Sequence, residues 1–406
     1  MKKKTVCVIG LGYIGLPTAA LIANKGFSVS GVDINQEVVS IVNQGKIHIL
    51  EKGLGKVVKS VTSKGKLKAF NKIQPSDIYI ICVPTPFHRN FNPPKPNINN
   101  VISASKNIAP YIKKGDLIIL ESTSPVGTTE KVRKVLKHGG VNIKDINIGY
   151  CPERVLPGKI MTELTHNARI IGGLSELSTK KIANFYKQFV KGNILVTDSR
   201  TAEMCKLAEN SYRDLNIAYA NELSIICDKQ NINIWELIRL ANKHPRVNIL
   251  QPGTGVGGHC IAVDPWFIVS QDKKNAKLIR TAREVNNHKT KFVINKIKKT
   301  ANRYLLNKGI KPKIVCLGLT FKPNIDDLRE SKALKVVKTL LAENHKINIV
   351  EPNVKSYKNL SFLNLSDAIK QADIICVLVK HREFLQNKIR NKLIKLKALD
   401  FCGALS

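Results

Sequence analysis

The chain has 406 residues, 43% hydrophobic and 24% charged, which excludes a mostly disordered polymer and asks for two or three domains instead of one core. Its formal charge is +36, but 52 basic residues are Lys and only 14 are Arg, spread along the chain. This reads as solvated lysine with a weak pull on polyanions, not a base-reading nucleic-acid surface.

Lys2, Lys3 and Lys4 precede an uncharged stretch from Thr5 to Ala23, as in a signal peptide. Gly10, Gly12, Gly15 and Pro17 would weaken a membrane helix there, and no membrane insertion is expected. Residues 5–9 instead read as a buried parallel strand, followed at once by Gly10-Leu11-Gly12-Tyr13-Ile14-Gly15. A helix from Leu16 to Asn24 and a strand from Ser28 to Val32, ending in Asp33, complete a dinucleotide signature. Gly10 makes the tight turn, Gly12 admits a pyrophosphate, and Gly15 lets the helix pack closely. Asp33 can accept from both adenosine ribose hydroxyls and would repel a 2′-phosphate, which points to NAD over NADP.

Further strands are expected at Asp77–Val83, Asp116–Glu121, Asn147–Tyr150, Arg169–Ile171 and Ile194–Val196. Strands alternating with helices imply a parallel, doubly wound sheet, whose ligands bind past the carboxyl ends of strands. Thr85 and Thr123 lie just past two such ends; each is either a site residue or a turn hydroxyl bonded to local backbone.

Thr201–Gln230 contains no Gly or Pro and predicts a long helix, roughly 45 Å at 1.5 Å per residue. Lys206, Asn210 and Arg213 share one face of it, either solvated or turned to an anionic ligand. Helices are also expected at Trp235–Asn242 and Ala276–Thr300. Between these two lies Pro252–Trp266, with four glycines in positions 253–258 and then Cys260 and Asp264. A single cysteine is usually a buried structural thiol, but beside a glycine loop it reads as a reactive one. The nine cysteines are odd in number and form no C-x-x-C pair, so neither a disulfide scaffold nor a metal site is expected, and a reducing cytoplasm suits them.

Lys313–Gly318 reads as a second first Rossmann strand, Lys346–Glu351 and Asp373–Val379 as its partners. The turn after Gly318 lacks the second and third glycines, so this half is expected to bind something other than a dinucleotide. The fold class is therefore α/β: two Rossmann-like, doubly wound parallel-sheet domains joined by a long central helix.

The segments VIGLGYIGLPTA, VPTPF, ESTSPVGTTEK, YCPERVLPG, SRTAEMCKLAENSYRD, ELIRLANKHPRVNILQPGTGVGGHCIAVDPWFIV and FKPNIDDLRES resemble, in order, those of the UDP-glucose/GDP-mannose dehydrogenase family. The resemblance spans nearly the whole chain; the loop at 88–97 is longer and the tail after about residue 380 diverges. It implies an NAD-binding domain at 1–198, a central helical dimerisation and catalytic-loop domain at 199–300, and a UDP-sugar-binding domain at 301–406. It also implies a homodimer, and a four-electron oxidation of a UDP-sugar's primary alcohol to a carboxylate with two NAD+.

By the same resemblance Cys260 captures the aldehyde as a thiohemiacetal, which becomes a thioester. Lys206 steadies the oxyanion or shuttles protons, Asn210 donates to the same oxygen, Asp264 positions or activates water as base in the oxidation, Glu153 serves thioester hydrolysis, and Thr123 helps to hold a water. Arg154, Val155, Arg213, His244, Arg246, Gly257, Phe321 and Lys322 match substrate positions, with Arg246 reaching the neighbouring subunit's substrate. Tyr13, Ile14, Asp33, Thr85, Thr129 and Arg329 match cofactor positions.

Overall fold

The structure is a computed structural model and describes residues 4–406 except Arg89, Asn92, Pro157 and His259. Lys2 and Lys3 of the basic start, and His259 of the glycine segment, thus lie outside the described residues. The chain forms two compact units: one runs up to Glu209 and includes Trp266–Gln271, the other comprises Asn210–Pro265 and Asp272–Ser406.

The first unit opens with β1 (Thr5–Ile9), α1 (Gly15–Asn24), β2 (Ser28–Val32), α2 (Gln36–Asn43), α3 (Leu54–Ser63) and β3 (Leu67–Phe70). After β4 (Ile78–Ile81) comes a small hairpin of β5 (Phe87–His88) and β6 (Lys95–Pro96), then α4 (Asn99–Ile108), β7 (Leu117–Leu120), α5 (Thr128–His138) and β8 (Asn147–Tyr150). Helix α6 (Ile160–His166), β9 (Arg169–Gly173), α7 (Glu176–Tyr186) and β10 (Ile194–Asp198) follow. The sheet order is β10-β9-β8-β7-β4-β1-β2-β3. Its six parallel strands, β3 to β8 in that row, have the order of a dinucleotide-binding fold. Alternation gives the sheet two apolar faces: Val6, Val8, Ile78 and Ile80 pack on one side, Cys7, Ile9, Tyr79 and Ile81 on the other.

The expectation of parallel pairing fails at one place. β9 runs antiparallel to β8, pairing Gly149 with Gly173 and Tyr150 with Gly172, and β10 follows β9. Glycines permit the contact, because a Cβ on Gly149 would stand 2.8 Å from the Gly172 carbonyl oxygen. As a result the connection Cys151–Ala168 need not cross the sheet. It stays at the carboxyl edge, where α/β sheets hold ligands.

Helix α8 (Ser199–Gln230) starts at Asp198, whose carboxylate accepts from the Thr201 amide at 3.0 Å and hydroxyl at 2.6 Å. It stops at Asn231, which turns left-handed at φ 55°.

The second unit continues with α9 (Ile234–Ala241), the start of α10 (Asp264–Gln271), and α11 (Lys277–Lys308). Helix α11 runs eight residues past the expected end at Thr300, because nothing breaks it before Gly309, at φ 72°. Then come β11 (Lys313–Leu317), α12 (Lys332–Ala342), β12 (Lys346–Val350), α13 (Leu365–Lys370), β13 (Ile374–Val377), α14 (Asn387–Lys395) and β14 (Leu399–Asp400). These strands form a parallel sheet of order β12-β11-β13-β14. Among the described residues no helix is long and apolar enough to cross a membrane.

Candidate active site

In the first unit the glycine signature is a cradle that fits a dinucleotide. Gly10 has φ +91°, and a Cβ there would lie 2.8 Å from the Cys82 carbonyl oxygen. A Cβ on Gly15 would fall 1.7 Å from the Gly10 oxygen, so only glycine lets α1 start against the turn. Around Gly12 nothing stands within 4 Å of a notional Cβ, which leaves bare backbone for a pyrophosphate ahead of the helix N-terminus. Tyr13 and Ile14 are partly buried at that start. Asp33 Oδ2 accepts from the Leu11 amide and Oδ1 from the Asn35 amide, both at 2.9 Å. Each oxygen keeps a lone pair for a ribose hydroxyl. Ile34, 97% exposed just beyond, was not singled out in the sequence; its signal is an apolar residue directly after the ribose acid.

Past the strand ends, the Thr85 hydroxyl donates to the Thr123 carbonyl at 2.5 Å and so ties the loops after β4 and β7 together. The partner is backbone 38 residues away, so this hydroxyl is not held by its own turn's backbone. Thr123 itself is partly buried. Thr129 is fully buried: its amide and hydroxyl donate to Glu203 Oε1 at 2.7 and 2.6 Å, while the Gly127 amide donates to Oε2 at 2.6 Å. Glu203, on α8, thereby caps the N-terminus of α5 and was invisible to sequence reading. Burial raises its pKa despite these three donors.

Glu153 lies on the connection that the antiparallel β9 keeps at the sheet's edge. It is 6% exposed; Oε2 accepts from the Val155 amide at 2.7 Å, and Oε1 has no hydrogen-bond partner among the described residues. Burial raises its pKa, against the opposing pull of Arg169, Lys206 and the Val155 amide. Lys206 is thus electrostatically linked to Glu153. Arg154 makes a forked pair with Glu209, at 3.1 Å from Nε and 2.8 Å from Nη2, and donates to the Ala168 carbonyl.

In the second unit Asn210, one turn beyond Lys206 on α8, donates from Nδ2 to Asp264 Oδ2 at 2.5 Å. Asp264 opens α10, and its amide donates to the Cys260 carbonyl at 2.8 Å, as does that of Val263 at 2.9 Å. Cys260 therefore sits one turn ahead of a helix N-terminus, half-buried. The glycines before it approach protein: Cβ atoms on Gly255, Gly257 and Gly258 would lie 2.5 Å from Thr290 Oγ1, 2.6 Å from the Glu330 oxygen and 2.8 Å from the Phe321 ring. A buried polar ladder also holds this loop. The Gly253 amide donates to Asn221 Oδ1 at 2.9 Å, Asn221 Nδ2 to Asn286 Oδ1 at 2.8 Å, and Asn286 Nδ2 to Asp214 Oδ1 at 2.7 Å. Sequence reading found the loop but none of its anchors.

Phe321 and Lys322 occupy the turn after β11, partly buried, and Phe321 is the wall met by Gly257 and Gly258. Arg329 pairs with Asp327 at 2.6 Å. Arg213, His244 and Arg246 are exposed; of the three residues expected on one face of α8, Lys206 and Asn210 are thus partly buried and only Arg213 is exposed.

Residues 4–190, 200–288 and 315–405 match the NAD binding, central and UDP binding domains of the UDP-glucose/GDP-mannose dehydrogenase family. A UDP-N-acetyl-D-mannosamine dehydrogenase from Campylobacter jejuni is 54% identical over 94% of this chain and 96% of its own. An NDP-N-acetyl-D-galactosaminuronic acid dehydrogenase from Ralstonia nicotianae is 48% identical over 94% and 92%. The solved UDP-D-ManNAc dehydrogenase from Pyrococcus horikoshii superimposes with TM-score 0.89 at 37% identity, over 99% of this chain and 96% of that one.

Proposed function

This chain belongs to the UDP-glucose/GDP-mannose dehydrogenase family, with NAD as cofactor, and we propose that it oxidises UDP-N-acetyl-D-mannosamine to UDP-N-acetyl-D-mannosaminuronic acid. The choice of sugar rests on the names of the Campylobacter jejuni and Pyrococcus horikoshii relatives. The covalent route rests on one observation: Asn210 holds Asp264 at the start of α10, one turn from Cys260.

Gly10, Gly12, Tyr13, Ile14, Gly15 and Asp33 would hold the cofactor; Thr85, Thr129 and Arg329 stay assigned to it by family resemblance. When bound there, NAD+ would supply the hydride acceptor for both oxidations, that of the alcohol and that of the thiohemiacetal. Cys260, one turn ahead of α10, adds through its sulfur to the aldehyde carbon. Lys206 and Asn210 stabilise the oxygen that gains charge. Asp264, oriented by Asn210, handles the proton of the oxidation or of water. Glu153, whose raised pKa suits proton exchange, takes a proton from the water that cleaves the thioester. Thr123 helps to hold that water. Arg154, Val155, Arg213, His244, Arg246, Gly257, Phe321 and Lys322 bind the UDP-sugar, Arg246 that of the neighbouring subunit. Tyr212, Tyr219 and Ile226, 73%, 53% and 43% exposed at seven-residue spacing on α8, supply an apolar stripe for a homodimer. The product suits cell-surface polysaccharide synthesis of the enterobacterial common antigen type.

The test is a panel of UDP-sugars with NAD+. UDP-N-acetyl-D-mannosamine should be the best substrate and yield two NADH per acid, and Cys260→Ala should end acid formation with NAD+ binding retained. One NADH per turnover, or normal acid yield without the sulfur, refutes the covalent route. A preference for UDP-glucose or UDP-N-acetylglucosamine replaces the sugar.

A further inference from the structure

The second unit repeats the first unit's cradle and then closes it. Gly318 follows β11 as Gly10 follows β1, at φ +90°, and its amide donates to the Val350 carbonyl at 2.8 Å, as that of Gly10 does to Val32 at 2.7 Å. The Leu319 amide donates to Glu351 Oε2 at 2.6 Å and the Asn353 amide to Oε1 at 2.8 Å. Leu11 and Asn35 do the same for Asp33. Here a further group covers the acid: His381, fully buried, places Nε2 3.2 Å from Glu351 Oε2.

The ring's other nitrogen identifies its tautomer. Nδ1 lies 3.0 Å from the Asn324 amide and 2.9 Å from Asn353 Nδ2. A backbone amide can only donate, so Nδ1 bears the lone pair and the proton sits on Nε2, facing Glu351. Asn324 is held reciprocally, since its Oδ1 accepts from the Arg382 amide at 2.9 Å. The Thr320 hydroxyl, 3.3 Å from Nε2, donates to the Lys322 carbonyl at 2.9 Å. The imidazole thus grips both ends of the turn Thr320–Asn324, which carries Phe321 and Lys322.

We propose that Glu351 and His381 are a buried positioning pair for the UDP-sugar: they fix the turn that presents Phe321 and Lys322, and they occupy the acid that would otherwise hold a second dinucleotide's ribose. The proposal rests on the reading of Phe321 and Lys322 as UDP-sugar contacts. Neither member touches the reacting atoms. Their effect passes through the turn to the ligand, and through Phe321 to the wall against Gly257 and Gly258.

Calorimetric titration of the full-length protein with UDP, and separately with NAD+, tests it. His381→Leu keeps an apolar filling but loses every hydrogen bond; UDP should bind about tenfold more weakly and NAD+ within about twofold of normal. KM for the sugar nucleotide should rise more than kcat falls. His381→Gln, which returns a donor toward Glu351, should recover part of the UDP affinity. Should His381→Leu not fold, Asn353→Ala removes only the side-chain amide at Nδ1, leaving that of the Asn324 backbone, and should weaken UDP about threefold. Unchanged UDP affinity in the variant that folds overturns the inference, as does equal loss of UDP and NAD+. A native protein that binds no UDP overturns the functional reading itself.

Discussion

At Asp33 two backbone amides take one lone pair on each carboxylate oxygen and leave the residue half-exposed. At Glu351 the Leu319 and Asn353 amides bind in the same way, the Thr320 amide reaches Oε2 as well at 3.2 Å, and His381 covers the residue, which is 5% exposed. The positions around the two acids differ in step. Gly12 and Gly15 correspond to Thr320 and Pro323, and where α1 begins at Gly15 directly after β1, no helix follows β11 until Lys332. No helix N-terminus is delivered at a phosphate position, and no bare backbone stands before one. One strand–turn–strand motif thus carries an open acid and a glycine turn in the first unit, and a capped acid without the second and third glycines in the second.

The largest effect expected from breaking this comparison is at the glycine that only the first copy has. Gly15→Val would drive a side chain into the Gly10 oxygen, 1.7 Å from the Cβ, and into Cys82. NAD+ affinity should fall on the order of 100-fold. The matched Pro323→Ala should leave NAD+ binding unaltered by fluorescence titration. Retained affinity in Gly15→Val would mean that the cradle is not where the cofactor binds.

A smaller effect is expected at the acids. Asp33→Ser removes the charge that repels a 2′-phosphate, so the NAD-to-NADP ratio of kcat/KM should drop about tenfold or more. Glu351→Gln should leave that ratio as it was. If both substitutions move the ratio equally, the two acids are not functionally distinct.

The smallest effect sharpens the comparison through pH. Burial tends to raise the Glu351 pKa, but hydrogen bonds from His381, Leu319 and Asn353 prevail and hold it below the usual carboxylate range. A depressed carboxyl adds stability that is complete above its unfolded pKa, about 4.3, and is lost as pH falls through the lower folded value. Native protein should therefore lose its Tm advantage over Glu351→Gln on acidification below about pH 4.3, by on the order of 2 °C. Parallel Tm curves for the two proteins would contradict the brace.

The legible parts of the molecule are those in which cause and effect are close along the chain. The signature from Thr5 to Asp33 was readable because strand, turn, helix and acid are consecutive, and the spacing itself decides what the backbone can do. Helix α8 was readable from the absence of Gly and Pro, and Cys260 stood out because its glycines are adjacent to it. Those glycines were nonetheless only half understood: the sequence showed that something comes close, and the fold showed that it is Thr290, Glu330 and Phe321.

What the sequence by itself determined was local conformation and chemical capacity: which segments extend or coil, and which residues can donate, accept or attack. Only the tertiary structure decided the partners. The reversal of β9, the capping of α5 by Glu203 from 74 and 76 residues away, and the closure of Glu351 by His381 across 30 residues all depend on pairings between distant segments. A carboxylate accepts equally well from an amide, a hydroxyl or an imidazole, so its residue type names no partner. The choice falls to whichever group the packed elements bring within reach when the acid leaves water, because a buried charge without a hydrogen bond is too costly to leave.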